Sequence, residues 1–426
     1  MHVNRQAWVR LQRLGRPFAW LLLSDALMLL SLMIGHVAVP WWIAHAGGAA
    51  HLALYAGAMA LVSFLALPLL SPLGDRLPKR RLIAGGLLLM ALESAVVAAM
   101  AQAGHYDIGW LIGLEMLAMV AMAAIMPASF SIVAELLPAE QLTEGLGWQK
   151  SAQALGRMAG PALGGAMLAL AGIPAALWLH AALLAAACGL ATRLPAAAVH
   201  PPPPARRWWA DLRAGLAAKW QMPMERGWTG VSFVVMLFFT PGIGMLVPLK
   251  VQALGLSGAW LGGCEAALSA GMLAGSLGGA VALAQRFGRF RAVVAAIAIE
   301  GLCLMWVGWA REPLWLLPAF AGFGLCIAVV QMVGHTHRML AMPPDFRARM
   351  TAVNMMVMQV AGVLGPALAG GALAWVSVHQ VYLAFGLALA VAAWGYRRVP
   401  GMREFLNRPH AEVEGLYARQ HPGLFR

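Results

Sequence analysis

Long apolar segments dominate the chain, and their length constrains the fold more than any other feature. A helix needs about 20 predominantly apolar residues to cross the roughly 30 Å hydrocarbon core of a bilayer. Twelve such runs occur, separated by glycine, proline or charged residues, and we number them spans 1 to 12. They lie at 17–43, 51–73, 82–103, 109–134, 146–171, 174–192, 228–249, 257–284, 292–310, 313–336, 350–375 and 380–397.

The composition places these runs in lipid. Hydrophobic residues make up 61% of the 426 residues and charged residues 11%, and the mean hydropathy is +0.73. Too little polar surface remains to cover a water-soluble globule. The four cysteines lie inside apolar runs and lack the spacing of a metal site or a disulfide framework. We therefore expect a membrane protein with no metal site and no cofactor.

The basic residues indicate the orientation of the chain. The net charge is +13, which in a soluble protein would favour a nucleic-acid partner. All 30 Lys and Arg residues except Arg157, Lys250 and Arg311 lie near the termini or near the loops that follow even-numbered spans. Cytoplasmic loops retain positive charge, so both termini are predicted to be cytoplasmic, in a bacterial-type inner membrane. We expect membrane lipids, and no nucleic acid, to contact these charges.

A polar segment divides the spans into six plus six. Pro201 to Pro204 precede Arg206, Arg207 and a short amphipathic stretch, a pattern typical of a spacer followed by a helix on the inner leaflet. We predict an N-terminal six-helix bundle, a linker with an amphipathic helix, a C-terminal six-helix bundle and a cytoplasmic tail. Their boundaries are 1–192, 193–227, 228–397 and 398–426.

The two halves also share a sequence repeat. Gly160-Pro161 in span 5 and Gly365-Pro366 in span 11 are separated by the same offset as Pro138 and Pro343. Internal repeats are common in transporters. The predicted fold class is therefore an all-α membrane protein, with twelve transmembrane helices in two pseudo-symmetric six-helix bundles around a central cavity.

The loop after span 2 carries a motif, Ser71-Pro-Leu-Gly-Asp-Arg-Leu-Pro-Lys-Arg-Arg81. It resembles the loop signature of the major facilitator superfamily, although Ser71 and Pro78 stand where the family usually has glycine. In the second half, Arg286-Phe-Gly-Arg289 keeps the kernel of the motif. The resemblance implies a conformational latch between the halves, and a carboxylate there can meet the positive end of a helix. The predicted latch residues are Asp75, Arg76, Lys79, Arg80, Arg286 and Arg289. The alternative is a positively charged cytoplasmic loop with no switching role.

Span 5 contains a glycine pattern that, within this superfamily, resembles exporters rather than importers. The wider pattern looks most like drug and siderophore exporters related to the enterobactin exporter. Small residues every fourth position give a flat helix face for close packing, and a proline adds a kink. The predicted packing and hinge residues are Gly147, Gly156, Gly160, Pro161, Gly164, Gly165, Gly365 and Pro366. We expect this glycine face to pack against a similar face of span 8 (Gly263 to Gly279) at the interface of the two halves. Close packing there would allow the halves to rock against each other. The alternative is that both glycine faces only tighten helix packing.

Ionisable residues at membrane depth are costly and are functional candidates by default. Asp25 in span 1 and Arg157 in span 5 lie at similar depth, and we predict that they form an exchangeable pair for proton coupling; a permanent structural pair is the alternative. Glu115 and Glu265 are predicted to form an outer proton relay or a cation site. Glu93 and Glu300 are expected to face helix contacts.

Two further predictions concern span 10 and span 7. His335 and His337 should snorkel to the membrane interface. The segment from Thr240 to Gly244 should break span 7.

These features favour a secondary transporter that exports a small organic molecule, a siderophore or a drug-like amphiphile, in exchange for protons. The chain is expected to act as a monomer by alternating access. A lysophospholipid carrier of the same superfamily is the alternative. A membrane enzyme is disfavoured because the chain contains no H-E-x-x-H or G-x-S-x-G motif and no catalytic residues are expected. A structural or sensory protein would have no reason to keep charges in the membrane.

Overall fold

A computed structural model describes residues 14–70, 78–195, 208–421 and 423–425, and within these ranges the chain is helical, with short connecting turns. The α-helices are α1 (Arg16–Leu70), α2 (Lys79–Gln102), α3 (Ile108–Ser131), α4 (Val133–Leu136), α5 (Leu142–Ala191), α6 (Trp208–Gln221), α7 (Pro223–Ile243), α8 (Leu246–Ala253), α9 (Gly258–Ala274), α10 (Ala280–Phe287), α11 (Arg289–Trp309), α12 (Leu316–Val329), α13 (Thr336–Ala341), α14 (Pro344–Leu373), α15 (Val378–Ala393), α16 (Met402–Asn407), α17 (His410–Val413) and α18 (Leu416–Gln420). Two π-helical turns, Gly275–Gly279 and Val330–His335, join α9 to α10 and α12 to α13.

The two longest helices are each broken by one glycine. Gly48 in α1 has φ +66°, and Gly172 in α5 has φ +80°. Residues with a Cβ rarely adopt this left-handed region, whereas glycine does so readily. Each long element is therefore two helices that meet at a glycine. In the part of the chain that the structure describes, 9 helices are long and apolar enough to cross a membrane, or 10 when one bent pair counts as a single span.

The bent pair is α7 and α8, whose axes differ by 42°. The predicted break of span 7 is confirmed, because α7 ends at Ile243 and Gly244 has the non-helical angles φ −117° and ψ −88°. Proline cannot donate a backbone hydrogen bond, so Pro241 weakens the ladder just before the break. The Tyr382 hydroxyl donates to the carbonyl oxygen of Gly242 at 2.8 Å. A side chain thus satisfies one of the carbonyl groups at the end of α7.

The chain divides into two compact units. The first comprises residues 1–51, 61–204 and 257–263, and the second comprises 52–60, 205–256 and 264–426. Residues 52–60 of span 2 thus belong to the second unit, although span 2 lies in the first half of the sequence. Residues 257–263 of span 8 belong to the first unit, although span 8 lies in the second half. Helix α6, within the predicted linker, belongs to the second unit, where Gly215 approaches the backbone of Arg349 in α14.

The core of the first unit is formed by α1, α2, α3 and the second part of α5. Its large buried side chains include Phe18, Leu21, Met28, Ile83, Leu87, Met90, Ile125 and Leu184. In the second unit, Phe320, Phe323 and Tyr382 are among the largest fully buried side chains. Apolar contacts of this kind occupy most of each interior, so the polar groups buried there stand out.

Candidate functional site

The carboxylate of Asp25 is buried in the first unit and is bound by neutral groups. The Asp25 side chain in α1 is 2% exposed. Ser129 Oγ in α3 donates to Oδ1 at 2.7 Å. Gln149 Nε2 in α5 donates to Oδ2 at 2.7 Å, and Gln153 Nε2 donates to the same oxygen at 3.3 Å. Three helices therefore converge on one carboxylate, which is held by a hydroxyl and two amides.

The predicted pairing of Asp25 with Arg157 is not present in this structure. Arg157 is exposed, and the salt bridges among the described residues do not join it to Asp25. The physical reason is that neutral donors already occupy both oxygens of the carboxylate. They satisfy the carboxylate without burying a second charged group. Arg157 lies four residues after Gln153, one helical turn further along α5.

The small residues of α5 pack on α1. A Cβ atom at Gly156 would lie 2.7 Å from the carbonyl oxygen of Ala26 and 2.8 Å from the amide nitrogen of Leu30. At Gly160 it would lie 2.8 Å from the carbonyl oxygen of Leu30, and at Gly164 it would lie 3.2 Å from the Cα of Ile34. The backbones of the two helices therefore touch. The absence of Cβ atoms at these glycines lets α5 place Gln149 and Gln153 against Asp25.

The expected packing of the span 5 face on the span 8 face is wrong in its details. Among the predicted glycines of α5, only Gly165 faces α9. A Cβ atom added to Gly165 would lie 2.7 Å from the Cα of Gly262. A Cβ atom added to Gly262 would in turn meet the carbonyl oxygen of Pro161. The predicted span 8 face instead packs within the second unit, since Gly271 contacts the carbonyl oxygen of Ala321 in α12. Glycines at four-residue spacing predict close packing, but they do not identify the partner helix.

We expect Gly156→Ala to reduce stability and transport, whereas Gly147→Ala should have little effect. The alanine Cβ at residue 156 would meet backbone atoms that cannot rotate away, and overpacking of this kind costs about 1–3 kcal/mol. No atom lies within 4 Å of a Cβ built at Gly147, so the two variants form a matched pair. Thermal denaturation of the purified proteins in detergent measures the difference. Equal midpoints would show that α5 is not held tightly against α1.

The second half repeats one of these contacts. A Cβ at Gly365 in α14 would lie 2.6 Å from the carbonyl oxygen of Leu237 in α7, just as Gly160 meets the carbonyl oxygen of Leu30. Pro366 follows within the same helix, as Pro161 follows Gly160. In each unit, the fifth predicted span of the half therefore packs on the first predicted span of that half at equivalent positions of the sequence repeat.

A second buried polar cluster lies in the second unit and contains charged groups. Glu225 in α7 is fully buried. Arg338 binds both of its oxygens, with Nε at 2.9 Å from Oε1 and a terminal nitrogen at 2.7 Å from Oε2. Lys219 Nζ lies 2.9 Å from Oε2, and the Tyr417 hydroxyl donates to Oε1 at 2.6 Å. We call Lys219, Glu225, Arg338 and Tyr417 the charge cluster. It contains two positive groups and one negative group.

Lys219 and Tyr417 lie outside the membrane-crossing helices, and burial changes the pKa values of both side chains. Burial, and secondarily the charge of Arg338, lowers the pKa of Lys219 to about 8, although Glu225 opposes the shift. Burial and the charge of Glu225 raise the pKa of the Tyr417 hydroxyl well above its ordinary value. Tyr417 therefore stays protonated and remains a hydrogen-bond donor. Because Tyr417 lies in α18, the cluster also attaches the C-terminal segment to the second unit.

The structure describes four of the six predicted latch residues. Asp75 and Arg76 lie outside the described residues. Lys79 forms an ion pair with Glu135 of α4, and Arg80 is half-buried. Arg286 is exposed, while Arg289 donates to the carbonyl oxygen of Arg408 at 2.8 Å. Of the four described latch residues, Lys79 and Arg289 thus bind partners within their own units.

Glu93 of span 3 lies near a buried histidine. Ser94 Oγ lies 3.1 Å from Glu93 Oε2 and 3.0 Å from His180 Nε2. His180 Nδ1 is 2.6 Å from Ser31 Oγ. Glu115 is close enough to Glu93 for the two carboxylates to repel each other. Glu93 therefore faces a helix contact, as expected, but that contact is polar.

Three predictions for the second half have different outcomes. Glu265 is half-buried and lies near Tyr382. Glu300 was expected to face a helix contact, but it lines a cavity between α7, α11, α12 and α14, because these helices leave a gap beside it. His337 does not snorkel. It is fully buried, and its Nε2 lies 3.1 Å from the carbonyl oxygen of Arg408, because α16 and the residues after it cover it.

Comparison with known proteins identifies the family. The pattern of the Major Facilitator Superfamily matches residues 21–336. The chain belongs to the Major Facilitator Superfamily. It is therefore a multi-pass membrane transporter and not an enzyme, as the sequence predicted.

A distant relative and two solved structures of similar fold are also transporters. The multidrug efflux pump Tap of Mycobacterium tuberculosis is 24% identical over 392 residues, which cover 89% of this chain and 92% of the pump. The structure of the nucleoside transporter NupG superposes with a TM-score of 0.73 at 14% identity, covering 90% of this chain and 100% of that chain. A peptide transporter, POT, gives a TM-score of 0.71 at 13% identity, with 91% and 95% covered. At these identities, the solved structures show the shared fold alone.

Several buried polar residues of this transporter could not be predicted from the positions of charged residues. Ser129, Gln149, Gln153 and His180 are neutral or only weakly basic, so a count of Asp, Glu, Lys and Arg passes over them. Their signal is a polar side chain inside an apolar run, and Gln149 and Gln153 also lie one turn apart on one face of α5. Glu225 was missed because it precedes the predicted start of span 7.

Proposed function

We propose that this transporter exports a small organic molecule in exchange for protons, with Asp25 as the proton-binding group. The observation that carries the proposal is the burial of Asp25 among neutral donors only. A carboxylate held by an arginine must break an ion pair before it can take up a proton, as Glu225 would have to do. Asp25 changes its charge at the cost of rearranging hydrogen bonds to a hydroxyl and two amides.

Gln149 provides a way to hold the protonated form. Its Oε1 atom is buried and has no hydrogen-bond partner among the described residues. Rotation of the amide would turn this oxygen toward Asp25, where it would accept a hydrogen bond from the protonated carboxyl group. The same side chain would then donate to the ionised form and accept from the neutral form. The site thus has a partner for each protonation state.

Arg157 enters the proposal as the alternative partner of Asp25. Gln153 and Arg157 are four residues apart on one face of α5, a rise of about 6 Å. A shift of α5 along α1 by one turn would replace the amide of Gln153 with the guanidinium of Arg157. The close glycine contacts between these helices allow the backbones to slide without side chains in the way. Protonation of Asp25 on the outside would release substrate, and proton loss on the inside would restore the binding site.

The membrane topology is part of the same proposal. We propose twelve spans in two six-helix bundles, with the breaks at Gly48 and Gly172 dividing α1 and α5 into two spans each and the bent pair forming one more span. The distribution of basic residues supports a proposed orientation with both termini on the cytoplasmic side of an inner membrane. In this topology, the predicted latch residues Asp75, Arg76, Lys79, Arg80, Arg286 and Arg289 face the cytoplasm. We assign them to the control of inward opening.

The substrate is proposed to be a drug-like amphiphile, with a siderophore as the second candidate. The name of the relative Tap, a multidrug efflux pump, supports the first. Many of the 26 methionine and 17 tryptophan residues would suit an apolar, adaptable cavity. Protons are the coupling partner, and the protein is proposed to act as a monomer.

Transport into everted membrane vesicles tests the proposal. We expect vesicles with an acidic interior to accumulate a cationic fluorescent dye, and an uncoupler that collapses the proton gradient to stop the accumulation. Parallel assays with a catecholate siderophore and a labelled lysophospholipid distinguish the substrate classes. Uptake that persists after the gradient is collapsed would contradict proton coupling. Movement of the lysophospholipid alone would replace the export of drugs by lipid transport.

A further inference from the structure

A cavity in the interior of the second unit is separate from the Asp25 site. Its volume is about 140 Å³. An engineered cavity of about 150 Å³ in another protein holds a benzene molecule, so this space suits a ligand with one aromatic ring. The cavity lies between α7, α11, α12, the π-helical turn Val330–His335 and α14.

The carboxylate of Glu300 lines this cavity without a partner. The Glu300 side chain in α11 is 4% exposed. No hydrogen bond or salt bridge joins it to another of the residues that the structure describes, and its surroundings include the thiols of Cys303 and Cys326. Burying a carboxyl group without a hydrogen-bond partner is costly. A ligand that donates to Glu300 would remove that cost.

Four of the other polar groups around the cavity already have partners, namely Ser232, Tyr396, Arg338 and Asn354. The Ser232 and Tyr396 hydroxyl groups bind each other at 2.8 Å. Arg338 is held by Glu225, and it also donates to Asn354 at 3.0 Å. Its guanidinium lies 4.6 Å from the centre of the Trp228 ring. Among these lining groups, Glu300 therefore remains as the charged side chain without a fixed partner.

Much of the remaining wall is apolar. Phe239, Val293, Ile297 and Ile327 line it. The π-helical turn contributes Gln331 and His335, which are both exposed, whereas Glu300 is buried. The lining is therefore exposed at the π-helical turn and buried at Glu300. Single π-helical turns often occur at functional sites because they widen the helix locally.

We propose that this cavity binds a small organic cation, a primary amine on a single aromatic ring. The ammonium group would donate hydrogen bonds to Glu300, and the ring would pack among Phe239, Val293 and Ile327. Charge-assisted hydrogen bonds are stronger than those between neutral groups, so the carboxylate selects an amine over a neutral molecule of the same shape. The proposal concerns the second unit alone and does not depend on proton-coupled export through Asp25.

Calorimetric titration of the purified, detergent-solubilised protein with benzylamine tests the site, and micelles without protein serve as the blank. We expect saturable binding to the wild type. Glu300→Gln should weaken it by about tenfold or more, because the amide cannot form the ion pair. Benzyl alcohol has the same shape without the charge. It should bind the wild type about as weakly as benzylamine binds Glu300→Gln.

Two further variants separate this site from non-specific binding. Glu93→Gln removes a buried carboxylate of the first unit and should leave the affinity for benzylamine unchanged. Ile327→Phe fills the cavity but keeps Glu300, and it should also abolish binding. Equal affinities of the wild type and Glu300→Gln, or equal affinities for benzylamine and benzyl alcohol, would overturn the proposal. Since binding is measured without a gradient, failure of export would not affect the result.

Discussion

Asp25→Asn is expected to reduce gradient-driven uptake into everted vesicles to the level of vesicles without the transporter. Asparagine has nearly the same shape as aspartate and can still accept from Ser129, but it cannot take up a proton. Substrate binding to the purified protein should remain measurable, because the variant removes the coupling group while the helix contacts at Gly156 and Gly160 stay in place. The measurement is the initial rate of dye accumulation after acidification of the vesicle interior.

The control for this experiment is Asp107→Asn. Asp107 is exposed and accepts from the backbone nitrogen of Trp110 at 2.9 Å at the start of α3, so the same chemical change occurs at a helix cap. It should cost about 1 kcal/mol of stability at most and leave the transport rate near that of the wild type. Normal gradient-driven transport by Asp25→Asn would remove Asp25 from the coupling mechanism.

Glu225→Gln is expected to cause the largest loss of stability. It leaves Lys219 and Arg338, whose side chains are 4% and 3% exposed, without the negative charge that both of them bind. Breaking a buried ion pair by removal of one partner costs about 3–5 kcal/mol. Unfolding of the purified protein in mixed micelles of mild detergent and dodecyl sulfate measures the change in the free energy of unfolding.

Two variants test whether uncompensated charge is the cause. Glu404→Gln removes an exposed carboxylate of α16 and should change the free energy of unfolding by less than about 0.5 kcal/mol. Adding Lys219→Met to Glu225→Gln removes one of the two buried positive charges and should recover part of the loss. If the double variant is as unstable as the single one, lost packing rather than unpaired charge explains the effect.

Much of the transmembrane organisation could be predicted from the sequence because it depends on local properties. The apolar runs predicted helices that the structure contains, and Pro241 with Gly242 and Gly244 predicted the break between α7 and α8. The loop motif and the span 5 pattern indicated the superfamily. Each of these signals depends on neighbouring residues, or on the match between helix length and bilayer thickness.

Which buried groups meet was decided by the tertiary structure. The sequence placed Asp25, Arg157 and Glu300 at membrane depth. Only the packing of α1 against α3 and α5 assigned Ser129, Gln149 and Gln153 to Asp25 and left Arg157 exposed. Likewise, only the packing of α7, α11, α12 and α14 placed Glu300 at a cavity instead of a helix contact. The physical reason is that a hydrogen bond requires two groups within about 3 Å. Depth along a helix is set by residue number, but the direction in which a face points is set by the neighbouring helices.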